Sequence, residues 1–240
     1  MRIARQIGTA VEFAGVLRRA REDYRKSTPA NSFGRAQWLQ RWSGEALKAL
    51  RVDLIMEGAI PSNGLLVANH LSYLDVLVLG AIAPASFVSK SEVAGWPVVG
   101  SLTQMAGTIF LRRESRKSAN AANNTIAERL QRGDLVVFFP EGTSSDGSTV
   151  LPFHAALFEP AITAGVPVQS AHIAYDTNDA DPATDVCYWG SMTFATHLWR
   201  LFGIKRTRAY VRFGVPSLYA DRKTAARATR EVILAISAGA

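Results

Sequence analysis

At 240 residues and 48% hydrophobic content, the chain is long enough for one α/β domain with a sizeable core and at most a small appendage. Its single cysteine, Cys187, excludes a disulfide framework and a multi-cysteine metal site within the chain, and fits a reducing cytoplasmic setting. A formal net charge of +7 points to anionic partners: nucleic acid, phosphorylated metabolites or an anionic bilayer surface.

Residues 2–26 read as an amphipathic helix. Ile3, Ile7, Ala10, Val11, Ala14 and Leu17 fall on one face, and Arg2, Arg5, Arg18, Arg19, Arg21 and Arg25 supply charge. The stretch 27–32, with Pro29 inside it, is a break. A second helix follows, with Leu39, Trp42, Ala46, Leu47 and Leu50 at helical spacing and Trp38 beside them. Two basic, Trp-bearing helices suit the interface of an anionic membrane. They fit equally a helical hairpin packed on the domain with its charges solvated. Residues 1–60 hold 11 Lys/Arg against 6 Asp/Glu, so the basic excess is concentrated there. Two further basic clusters are Arg112 to Lys117, and Arg200, Lys205, Arg206, Arg208 and Arg212.

From about residue 51 the pattern alternates. Strands are predicted over 52–57, 65–68, 86–90, 108–112, 135–139, 166–175 and 208–213, and helices over 72–83, 98–105, 118–132, 155–164, 193–202 and 223–237. Residues 176–185 read as an acidic surface loop. The alternation argues for a three-layer α/β domain over 51–240, behind an N-terminal amphipathic helical hairpin over 1–50. A membrane span needs about 20 mainly apolar residues. The best run, Val76 to Ala85, is half that and is interrupted by Pro84. The N-terminus lacks the apolar core and cleavage pattern of a secretory signal. A protein of this kind that works on lipid lies on the membrane.

Two segments carry the chemistry. Asn69-His70-Leu71-Ser72-Tyr73-Leu74-Asp75 follows the apolar strand 65–68, and Phe139-Pro140-Glu141-Gly142-Thr143-Ser144 follows the apolar strand 135–139. Ligands bind at the carboxyl ends of strands in open α/β sheets, so both segments are placed where a cleft forms. His70 is a candidate general base, and Asp75, reaching back from the first helical turn, a candidate orienting acid. The competing reading makes Ser72-x-x-Asp75 a capping box. Gly142 permits a left-handed turn, and the backbone and hydroxyls of Gly142, Thr143 and Ser144 can cradle an anion. Glu141 would repel phosphate and is expected to bond hydroxyls or cations. The competing reading is a plain polar turn. Arg112, at the end of Gly107-Thr108-Ile109-Phe110-Leu111-Arg112-Arg113, and Lys90, after Phe87-Val88-Ser89, are candidate phosphate clamps or else solvated strand ends. There is no G-x-S-x-G elbow, no P-loop, no G-x-G-x-x-G, no histidine pair with metal spacing and no recognised nucleic-acid motif. Cys187, His154, His172 and His197 read as structural or surface residues.

Taken in order, these blocks resemble the 1-acylglycerol-3-phosphate O-acyltransferase family, the PlsC-like lysophospholipid acyltransferases. Asn69-His70-x4-Asp75 is similar to its first motif, Gly107 to Arg112 to its second and Phe139 to Ser144 to its third. Val166-Pro167-Val168 resembles its fourth, and Lys90 with Gly95-Trp96-Pro97 its Lys and Pro-Gly stretch. The resemblance covers roughly residues 50–215 and is specific because the motifs occur together and in order. It implies a mixed sheet flanked by helices, with the N-terminal two-helix motif docking on the membrane at the cytoplasmic face of the inner membrane.

For the reaction, the resemblance implies transfer of a fatty acyl group from acyl-CoA or acyl-ACP, as co-substrate, to the hydroxyl of lysophosphatidate. His70 would be the base and Asp75 its orienting partner. Arg112, Glu141, Gly142 and Thr143 would hold the glycerol-phosphate with help from Lys90. No cofactor, no metal and no nucleic acid are implied. The stretch from Glu141 to Gly147 with Leu151-Pro152-Phe153, and Tyr188-Trp189-Gly190 with His197-Leu198-Trp199, is similar to members that include lyso-ornithine lipid acyltransferases, which makes that lipid, or another lysolipid, the alternative acceptor. An inactive membrane-surface lipid-binding protein is the alternative of another class.

Overall fold

The computed structural model describes residues 2–96, 98–112 and 116–239. Pro97 and Arg113, both named in the motifs above, lie outside the described residues. Two helices open the chain, α1 (Arg2–Ser27) and α2 (Ser32–Ala49). Asn31 caps α2, its side chain accepting from the Gly34 amide at 2.8 Å.

Seven strands follow: β1 (Val52–Glu57), β2 (Gly64–Ala68), β3 (Ala85–Lys90), β4 (Ile109–Leu111), β5 (Leu135–Phe138), β6 (Val168–Thr177) and β7 (Thr207–Phe213). They form one sheet in the order β1-β7-β6-β2-β5-β3-β4. Every neighbouring pair is parallel except β6 with β7, so β1 and β7 run against the other five and the sheet is mixed. Between the strands lie α3 (Leu74–Ile82), α4 (Val99–Met105), α5 (Arg116–Gln131), α6 (Glu159–Ala164), α7 (Pro182–Asp185) and α8 (Phe194–Phe202), and α9 (Arg222–Ala238) closes the chain.

β2 and β5 are buried at every position, as continuous apolar strands at the centre of a parallel region must be. Their alternation feeds two cores. Leu66, Ala68, Leu135 and Val137 pack with Leu47 and Leu50 at the end of α2, with Leu74 and Val78 of α3 and with Leu201 of α8. Leu65, Val67, Val136 and Phe138 pack with Ala122 and Ile126 of α5, Ala161 of α6 and Ala225 of α9. The result is a helix–sheet–helix sandwich. Because β2, β3, β4, β5 and β6 are co-directional, their carboxyl ends share one edge of the sheet. That edge gathers Asn69 and His70, Lys90, Arg112, Phe139 to Ser144, and the end of β6.

Three local expectations are corrected. The acidic stretch 176–185 is only partly loop. Asp176 and Thr177 continue β6 opposite Arg208 and Thr207, with Asp176 accepting from Arg208 at 2.9 Å, and Asp181 caps the short α7. The helix over 155–164 begins as a 3-10 turn, Ala155–Phe158, before α6, which has Pro160 in its first turn. The basic cluster near the C-terminus is largely neutralised, since Arg206 pairs with Asp53, Arg208 with Asp176 and Arg212 with Glu57.

The two N-terminal helices present themselves differently from the sequence reading. On α1 the face that packs inward carries Gln6, Thr9, Val16 and Ala20. Ile3, Ile7 and Val11 point out, 68%, 53% and 68% exposed. On α2 the two tryptophans turn inward. Trp38 is buried and its indole donates to the Ala20 carbonyl at 3.2 Å, while Trp42 donates to Asp23 at 2.8 Å. Trp38 and Trp42 therefore lock α2 to α1 and do not project toward an interface. No described helix is long and apolar enough to cross a membrane.

Candidate active site

His70 sits in the turn between β2 and α3. Its Nδ1 lies 2.7 Å from Asp75 Oδ2, and its ring stacks on Phe139 with centroids 4.1 Å apart and planes 13° from parallel. The imidazole is 21% exposed and Asp75 is fully buried, so the pair has one wet end. With Nδ1 committed to the carboxylate, Nε2 is the nitrogen left to take a proton.

Asp75 also serves the backbone. Its Oδ2 accepts from the Leu71 amide at 2.7 Å and the Ser72 amide at 2.9 Å. One oxygen thus supplies the carboxylate half of the capping box, whose Ser72 hydroxyl has no hydrogen-bond partner among the described residues, and the same oxygen holds His70 Nδ1. The other oxygen, Oδ1, accepts from the Tyr175 hydroxyl on β6 at 2.6 Å. Sequence reasoning missed Tyr175. It stands one hundred residues from Asp75, and only the order of β6 beside β2 brings them together.

Glu141 differs from its expected use. It is buried, its Oε1 accepting from the His70 amide at 2.9 Å and its Oε2 from the Leu151 amide at 3.2 Å. The carboxylate therefore joins the two motif turns. Burial pushes its pKa up to about 7, opposed by the two amide bonds. Gly142 has φ 69 and its amide donates to the Phe139 carbonyl at 3.1 Å. A side chain would be strained in that left-handed turn. Two more bonds close the turn on its neighbours: the Ser145 amide donates to the His70 carbonyl at 2.9 Å, and the Ser144 hydroxyl to the Tyr188 carbonyl.

The remaining candidates lie beside this cluster and face solvent. Lys90 ends β3 and Arg112 follows β4, on adjacent strands where Lys90 is in register with Leu111. Both side chains are exposed, and neither forms an ion pair among the described residues. The Arg112 amide is tied to the Ser118 hydroxyl at 3.0 Å. Thr143 is exposed at the tip of the turn. Tyr73, Tyr188, Phe194 and Trp96 form a cluster of tilted and edge-to-face ring contacts, with Tyr73 bonded to buried His197 at 2.9 Å. Among the described residues there is no cluster of His, Cys, Asp and Glu that could hold a metal ion.

The Acyltransferase family model matches residues 51–174, more than half of the chain and the whole span from β1 through the dyad to β6. The 1-acyl-sn-glycerol-3-phosphate acyltransferase of Neisseria gonorrhoeae is 40% identical over 171 residues, 70% of this chain and 67% of that one. The chain belongs to the PlsC-like acyltransferase family. A second family member, the lyso-ornithine lipid O-acyltransferase of Pseudomonas aeruginosa, is 36% identical over 195 residues, 80% of this chain and 75% of that one. The crystal structure of the 1-acyl-sn-glycerophosphate (LPA) acyltransferase PlsC from Thermotoga maritima matches with a TM-score of 0.68, over 100% of this chain and 97% of that one, at 22% identity. At that identity the likeness speaks for the fold: the mixed seven-stranded sheet with two N-terminal helices is a PlsC-type architecture.

Proposed function

We propose that this PlsC-family chain transfers a fatty acyl group from acyl-CoA or acyl-ACP to the free hydroxyl of lysophosphatidate, giving phosphatidate. The observation that carries the reading is the 2.7 Å bond between His70 and a fully buried Asp75 at the carboxyl end of β2, on the same edge of the sheet as two exposed cations. His70 Nε2 takes the proton of the acceptor hydroxyl as its oxygen attacks the thioester carbonyl. Asp75 stabilises the imidazolium that forms. The tetrahedral intermediate collapses with cleavage of the carbon–sulfur bond, and the proton on His70 passes to the departing thiolate. Lys90 and Arg112 take the phosphate of the acceptor, with Thr143 and the Gly142 turn beside it. Glu141 acts by holding the His70 amide.

The exposed Ile3, Ile7 and Val11 stripe of α1 supports docking of the N-terminal hairpin on a lipid surface, with flanking arginines toward anionic headgroups. Lyso-ornithine lipid is the second reading, favoured by the Pseudomonas relative, which aligns over more of the chain than the neisserial one. The deciding experiment measures thiol release from acyl-CoA and acyl-ACP with each acceptor offered separately. Phosphatidate formed only with lysophosphatidate supports the leading reading. Release confined to lyso-ornithine lipid removes the phosphate roles of Lys90 and Arg112. Silence with every lysolipid overturns the enzymatic reading in favour of a lipid-binding relative.

A further inference from the structure

The two oxygens of Asp75 are loaded unequally. Oδ2 has His70 Nδ1 and the amides of Leu71 and Ser72 within 2.7, 2.7 and 2.9 Å, whereas among the described residues Oδ1 has the Tyr175 hydroxyl, at 2.6 Å. Three donors hold one oxygen and leave the other to a single partner. A fourth donor at the other oxygen fixes the plane, and with it the line along which His70 Nδ1 is held. An ionised carboxylate offers only acceptors, so the tyrosine must donate. Burial and the neighbouring Asp75 charge both push the Tyr175 phenol up, which keeps its proton in place. A phenylalanine would fill the same space on β6, so the hydroxyl needs a reason of its own.

Resting on the reading of His70 as base, we infer that Tyr175 is a positioning residue of the dyad: its hydroxyl fixes the carboxylate plane of Asp75 and moderates the basicity that Asp75 confers on His70. A hydrogen bond to the charged form of a carboxylate favours that form and draws charge from it. Removing the bond makes the coupled pair hold its proton more tightly. Among the described residues, the other titratable groups coupled to this cluster are Glu141 from the β5 turn, Tyr73 at the start of α3, whose phenol burial pushes up, and Cys187 beyond α7, whose thiol burial holds up at about 12. Cys187 and both tyrosines are therefore neutral near neutral pH, leaving Glu141 as the neighbour whose charge changes in that range.

The test uses the full chain with Tyr175→Phe, and separately with 3-fluorotyrosine at position 175, a more acidic phenol of nearly the same shape. Rates of thiol release are followed against pH. In parallel, the ring nitrogens of the four histidines are titrated by NMR, the His70 signal being assigned by its loss in His70→Asn. Tyr175→Phe is expected to lower kcat roughly tenfold or more with KM changed less than about twofold. The acid limb and the His70 midpoint should both move to higher pH, and 3-fluorotyrosine should move them to lower pH. An unmoved His70 midpoint in both proteins overturns the inference, even if Tyr175→Phe loses rate or thermal stability. If the phenylalanine variant does not fold, the fluorotyrosine shift decides alone. The NMR arm is independent of turnover. A wild-type protein that transfers no acyl group therefore refutes the base assignment, while the midpoint shift still decides the Tyr175–Asp75 coupling.

Discussion

Around His70 the charged groups are all engaged. Both Asp75 oxygens and both Glu141 oxygens accept bonds, four of those bonds from backbone amides, and both residues are buried. Two and three strands along the sheet, Lys90 and Arg112 are exposed and without ion-pair partners among the described residues. The first region uses its charge to fix geometry, and the second leaves its charge open to solvent. Buried carboxylates need donors or they are costly. Exposed cations lose little in water by waiting, and a phosphate can engage them at once. A hydroxyl acceptor with an anionic headgroup fits that division.

Substitutions on the two sides should therefore fail in different ways. His70→Ala is expected to lower kcat by about a thousandfold, within the usual range for a positioned base, while the melting temperature barely moves because the ring is stacked at the surface end of the cluster. Retained turnover in that variant would sink the assignment. Asp75→Asn should cost about a hundredfold in kcat with little change in KM. It should also lower stability by about 2 kcal/mol, because an amide nitrogen would face donors that need an acceptor. Arg112→Ala belongs to the other region. Its KM for lysophosphatidate should rise about tenfold, less at high salt, with kcat and melting temperature unchanged; an equal effect on a lysolipid without phosphate would remove the clamp role. Replacing Ile3, Ile7 and Val11 with serine should weaken flotation with anionic vesicles about tenfold and leave soluble-substrate chemistry intact.

At Glu141 the readout is stability against pH. Its folded pKa of about 7 lies above the ordinary value of 4.5. Between those values the folded protein holds a proton that the unfolded chain releases, so stability falls as pH rises through that window and is level above it. Glu141→Gln should abolish that decline, worth at most about 3 kcal/mol. A wild-type profile flat over the window would show that the two amide bonds cancel the effect of burial.

Much of this was legible before folding. The apolar runs of β2 and β5 are buried on both faces, so the segments following them had to emerge at a sheet edge. Lys90 and Arg112 were placed by the same logic. What was not legible depends on partners distant in the chain. Nothing local marks Glu141 as a backbone clip, because its second amide comes from Leu151, ten residues on. Nothing local marks Tyr175, which reads as one more residue of an apolar strand. The α1 stripe was seen, but the direction it faces was open. It was settled by Trp38 and Trp42, which are large enough to claim the interhelical space and find donors' partners at Ala20 and Asp23.

By itself the sequence determined the alternation of elements, the strand-end positions of His70, Lys90, Arg112 and Glu141, the place of Asp75 in the first turn of the following helix, and the resemblance carried by the ordered motifs. These follow from local periodicity, turn chemistry and residue type. The tertiary structure decided the strand order, the outward face of α1, the pairing that neutralises Arg206, Arg208 and Arg212, and the fourth bond on Asp75. Each of those is a contact between segments far apart in the chain, and such contacts are selected by which faces can be buried together rather than by any pattern within one segment.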